Sequence, residues 1–130
     1  MIKKNNLNQL IRESLELCNG RQKSLSDGDY KSANKIVKKL ERLYLAILEY
    51  EDDGINKLAD LLIYDSPYVR LWAASGLLPY KPHEALKIIH SIKESDEPFA
   101  SGFAEMILDL WENGQLKFPS SVNKKSTYDQ

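Results

Sequence analysis

Apolar residues recur along this chain at intervals of three and four, the period of an amphipathic helix, and no stretch alternates as a strand does. Leu7, Leu10, Ile11, Leu15 and Cys18 form the first stripe, and Asn19-Gly20 supplies a stop because glycine takes the left-handed conformation readily. Arg21 to Gly28 is polar and reads as a loop. The longest stripe follows: Tyr30, Ala33, Ile36, Val37, Leu40, Leu43, Tyr44, Ile47 and Leu48, with Ser26 or Asp27 as N-cap. Glu51-Asp52-Asp53-Gly54 ends that helix and places negative charge at the start of the next, where the helix dipole favours it.

The third helix uses Ile55, Leu58, Ala59 and Leu62 and stops before Asp65-Ser66-Pro67. Ser66 as N-cap with Pro67 in the first turn starts a fourth helix, which buries Val69, Trp72, Ala73, Gly76 and Leu77. Pro82 opens a fifth, with Ala85, Ile88, Ile89 and Ile92 inward. The sixth begins between Pro98 and Gly102, carries the stripe Phe103, Met106, Ile107, Leu110, Trp111, and closes at Asn113-Gly114. The predicted fold class is all-α, with antiparallel helix pairs in one domain over residues 1–119. Residues 120–130 have no apolar period and read as a flexible tail.

Composition narrows the function classes. With 42% hydrophobic and 28% charged residues among 130, the chain has an ordinary globular make-up, which excludes collagenous and wholly disordered readings. A single cysteine excludes an internal disulfide framework and a Cys-rich zinc site. No apolar run approaches the ~20 residues of a membrane span. The start, Met1-Ile2-Lys3-Lys4, has no apolar segment behind it, so no signal peptide and a cytoplasmic location are expected. The net charge is -1, but residues 1–50 hold ten Lys/Arg against six Asp/Glu while residues 51–130 hold eight against thirteen. The chain is therefore basic at one end and acidic at the other.

The third and fourth helices carry a recognisable phrase. Leu58-Ala59-Asp60-Leu61-Leu62, then Asp65-Ser66-Pro67-Tyr68-Val69-Arg70, then Ala73-Ala74 and Leu77 resembles a HEAT repeat. Small Ala73, Ala74 and Gly76 would let two helices approach closely, Pro67 would set the turn, and Asp65 and Arg70 would pair across it and bond free backbone groups near it. More narrowly, Val69-Arg70-Leu71-Trp72-Ala73-Ala74 with Leu77-Leu78-Pro79-Tyr80 is similar to a small bacterial HEAT-like family described as a domain of unknown function. Gly28-Asp29, Ala33-Asn34, Ala85-Leu86, Ala104-Glu105-Met106 and Leu110-Trp111 extend the similarity over about Leu7 to Pro119. The resemblance implies a short right-handed α-α superhelix of stacked pairs and a small helical binding protein, of a type that includes immunity proteins against toxins.

Little in the sequence points to catalysis. His83 and His90 are seven apart without further ligands, and Asp27-Gly28-Asp29 lacks the remaining positions of a calcium loop, so no metal or cofactor is expected. Cys18 lies on an apolar stripe and reads as a buried small hydrophobe. Trp72 and Trp111 read as core, and either would become a binding anchor if exposed. Subtracting core positions leaves Tyr68, Leu71 and Ser75 on the fourth helix and Glu105, Asp109 and Glu112 on the sixth pointing outward on one concave face. The expected function is non-enzymatic protein binding through that acidic face, in an immunity or antitoxin-like role against a basic toxin domain. The alternative is nucleic-acid binding along Lys31, Lys35, Lys38, Lys39 and Arg42 of the long helix.

Overall fold

The stripes become helices in the computed structural model, which describes residues 2–116, with side chains placed from Asn6 onward. They are α1 (Ile2–Ser26), α2 (Tyr30–Leu48), α3 (Asp52–Asp60) with a 3-10 turn at Leu61–Ile63, α4 (Pro67–Leu77), α5 (Pro82–Lys93) and α6 (Ala100–Glu112). No strand occurs among the described residues. Residues 117–119 of the expected domain and the expected tail, 120–130, lie outside the described residues. None of the described helices is long and apolar enough to cross a membrane.

Two boundaries differ from the sequence reading, both for tertiary reasons. Asn19-Gly20 does not end α1; the helix runs on to Ser26, burying Leu25 and directing Arg21 inward. Gly20 is passed because it faces Ile36 of α2, where a Cβ would make ordinary contact at 3.5 Å. The true stop is Gly28, in the left-handed region at φ 78. The cap of α2 accordingly moves from Ser26 or Asp27 to Asp29, whose carboxylate accepts from the Ser32 amide at 3.1 Å and the Ser32 hydroxyl at 2.7 Å. Gly54, read as a terminator, lies inside α3 and is buried against the end of α2.

The fourth helix begins as expected, with Ser66 capping the Val69 amide and Pro67 in the first turn. Arg70 bonds free backbone groups at the turn as expected, its guanidinium donating to the carbonyls of Tyr64 at 2.7 Å and Asp65 at 2.9 Å, but it does not pair with the Asp65 carboxylate. That bridge ties the turn to the helix it precedes.

Helices α1 and α2 pack on each other, as do α4 with α5 and α5 with α6. α4 also touches α1, α3 and α6, so it occupies the centre and every residue from Leu71 to Leu78 is buried. Ala73, Ala74 and Gly76 let its neighbours approach this closely. From α2, the Tyr44 hydroxyl donates to the Gly76 carbonyl at 2.8 Å, satisfying a last-turn acceptor that the helix itself leaves open.

Candidate functional site

The sixth helix carries apolar side chains around more of its circumference than one neighbour can cover. The face formed by Ala100, Ala104 and Leu108 is buried. Phe103, Ile107, Leu110 and Trp111, expected in the core, are only half-buried, and Met106 is 52% exposed. The large stripe of α6 therefore lines a groove rather than the core. Its opposite wall is Val37, Leu40 and Glu41 of α2, and its floor is Leu71, Trp72 and Ser75 of α4. Arg21 of α1 and Leu116, beyond α6, complete a space of about 300 Å³. This lies at the small end of ligand pockets and is ample for a few apolar side chains.

One end of the groove is fastened by aromatic contacts. Tyr30, opening α2, meets Phe99 edge-on with ring centroids 6.4 Å apart. Phe99 holds a left-handed φ of 64, which a bulky residue adopts only at a cost, and it directs α6 away from Pro98. The Tyr68 hydroxyl donates to the Pro98 carbonyl at 2.9 Å, so the turn is anchored from the central helix. One turn on, the guanidinium of Arg21 sits 4.6 Å above the Phe103 ring. Burial lowers the pKa of Arg21, partly offset by Cys18 and Tyr68, and its Nε is buried with no hydrogen-bond partner among the described residues.

The expected concave face divides when placed in three dimensions. Tyr68, Leu71 and Ser75 do not point outward; they are 4%, 4% and 3% exposed. The reason is the central place of α4, which is packed from several sides where a simple two-layer stack would leave one side free. Leu71 and Ser75 nevertheless form the groove floor, and the Ser75 hydroxyl is occupied in donating to the Leu71 carbonyl at 2.7 Å. Glu105, Asp109 and Glu112 are exposed as expected. They are centred roughly 140° around α6 from its groove-lining side, so they form a separate surface. Lys31, Lys35, Lys38, Lys39 and Arg42 are all exposed on α2, and none joins an ion pair among the described residues.

The remaining candidates resolve on burial. Cys18 is buried, and desolvation, opposed by the nearby Arg21 charge, pushes its thiol up to about 12; it is protonated and shielded, unlike a nucleophile. His83 and His90 are both exposed. Among the described residues no three His, Cys, Asp or Glu side chains are placed to hold a metal ion. Trp72 is buried beneath the groove and Trp111 half-buried beside it.

Sequence reasoning missed Arg21 and the groove-facing role of Phe103, Met106, Ile107 and Leu110. The available signal was the excess of apolar positions on α6: two stripes, one small and one large, where a single packed face needs one.

The chain matches no protein-family model and no protein with a curated description. Among solved structures it is similar to the protein RPA1889 from Rhodopseudomonas palustris, with a TM-score of 0.79 and 21% identity. The similarity spans 90% of this chain and 97% of that one, and it shows a shared fold.

Proposed function

We propose that the chain is a non-enzymatic protein-binding module that takes an apolar segment of a partner into the groove between α2, α4 and α6. The observation that carries this reading is the large apolar stripe of α6, left half-covered by its own domain with Met106 exposed at the mouth. Leaving such side chains in water is costly, and covering them on binding recovers roughly 25 cal/mol per Å². A photo-reactive residue at position 106, compared with one at exposed Lys57, identifies the partner in cells. The purified partner should then bind Met106→Asp at least about tenfold more weakly than the wild-type chain, with helicity intact. Equal binding by that variant would remove the groove from the interface.

Within this reading the partner is a basic domain, such as a toxin held by an immunity or antitoxin-like protein. The support is the acidic row Glu105, Asp109 and Glu112, exposed on the side of α6 away from the groove and able to steer a positively charged surface during approach. Changing all three to Lys is expected to slow association by about tenfold at low salt and to flatten or invert its salt dependence, while dissociation changes little. An unaltered association rate in stopped flow would dismiss the basic partner and leave the groove untouched. Retention of duplex DNA on filters at low salt, lost when Lys35, Lys38 and Arg42 are reversed in charge, would instead assign function to the basic stripe of α2.

A further inference from the structure

We infer that the occupant of the groove is an amphipathic partner helix carrying one carboxylate within its apolar face, and that Arg21 receives that carboxylate. The inference rests on the docking role proposed above and specifies its partner. Three observations lead to it. The groove is walled by helices, with no strand edge among the described residues to pair with an extended peptide, so an occupant must satisfy its own backbone hydrogen bonds. A helix does this and presents its side chains to the groove in an i, i+3/i+4, i+7 pattern.

The second observation is the state of Arg21. Its Nε is buried without an acceptor, and it joins no ion pair among the described residues. Arg21 as a whole is half-buried and lines the groove, and its planar fork matches a carboxylate better than any other group a peptide offers. Neither neighbour in α1 or α4 carries a negative charge to balance it: Cys18 is a buried, protonated thiol, and Tyr68 is a phenol whose hydroxyl donates to the Pro98 carbonyl. The third observation is preorganisation. The Phe103 ring 4.6 Å from the guanidinium holds it by a cation–π contact at the groove wall, so less freedom is lost when an anion arrives.

The test uses a phage-displayed library of short helical peptides selected on the full chain, with affinities of the enriched peptides measured by fluorescence anisotropy. Expected are peptides that lose binding to Met106→Asp and share one Asp or Glu within the apolar pattern. Replacing that acid by Gln should weaken binding to the wild-type chain about tenfold and leave binding to Arg21→Met unchanged. Arg21→Lys, which keeps the charge and loses the fork, should fall between the two. The thermal midpoint of Arg21→Met is expected at or above that of the wild type, because a buried nitrogen without an acceptor has been removed. Should Arg21→Met fail to fold, the cycle is run with Arg21→Lys. Peptides that need Met106 but carry no acid, or whose acid is insensitive to both Arg21 variants, would overturn this inference while leaving the docking role standing. An absence of Met106-dependent peptides would overturn both.

Discussion

Gly54→Ala is expected to cost about 3 kcal/mol of stability, measured as a shift in the urea midpoint at constant slope. Gly54 lies in the first turns of α3, where the chain folds back onto the end of α2. A Cβ at this position would overlap the carbonyl oxygen of Ile47 and lie 3.0 Å from its carbon and 3.2 Å from its Cγ2. Neither group has room to yield. Ile47 is fully buried, and its carbonyl accepts from the Tyr50 amide at 3.0 Å in the turn that leaves α2. The tightness begins just upstream, where Glu51 takes a positive φ of 54 to bring α3 back. Gly102→Ala provides the contrast. It is also helical, but a Cβ there meets nothing within 4 Å, so the substitution should be neutral or stabilise by up to about 1 kcal/mol. Equal midpoints for the two variants would mean that α3 can slide away from α2, and the close contact would not be a constraint.

Stability should also fall steeply at alkaline pH, and Cys18 should account for much of it. In the folded chain burial holds the thiol protonated up to about 12, against an ordinary value of 9.0. A raised acid pKa means that, above pH 9, the unfolded chain releases this proton and the folded chain retains it. The contribution is therefore fully present below about pH 9 and is lost progressively as pH rises toward 12. At pH 11, two units above the unfolded value, the deficit from this one thiol is about 3 kcal/mol. Tyr44 adds to the trend above its ordinary value of 10.0, because burial raises its phenol too and the protonated hydroxyl is needed for the bond to Gly76. Cys18→Ala should be less stable than the wild type at pH 7, through the cavity it leaves, and should have a flatter decline between pH 8 and 11. Parallel declines in denaturant midpoint for the two chains would show that the thiol does not couple to folding.

The groove and the acidic row make different demands on a partner, and their separation has a kinetic signature. Substitutions at Met106 should act on dissociation, because they remove buried apolar contact. Charge reversal at Glu105, Asp109 and Glu112 should act on association, because those carboxylates lie outside the groove and influence only the approach. A single face containing all six expected residues would not separate in this way. The division follows from the geometry of two helices: α4 turns Leu71 and Ser75 into the groove floor, and α6 turns its carboxylates away from it.

Helical periodicity by itself determined that the chain is all-α, because apolar residues at spacings of three and four cannot form one face of a strand. Local chemistry also placed the clearest boundaries. Ser66-Pro67 starts α4, Pro82 starts α5 and Asn113-Gly114 closes α6, each through a backbone preference that acts within one turn. Burial of Cys18 was readable from its stripe for the same reason. What sequence could not determine was which neighbour each face meets. Gly20 is a poor helix residue and Gly54 a plausible terminator on local grounds, yet Ile36 lies beside the first and the Ile47 carbonyl forces the second to be small. Phe103, Met106, Ile107 and Leu110 have the spacing of a core stripe, but Ala100, Ala104 and Leu108 are the residues of α6 that are buried, the two alanines allowing a close approach of the neighbouring helices. Periodicity specifies a direction around a helix axis; whether that direction holds a packed neighbour, a groove or water is decided only when the other helices are in place.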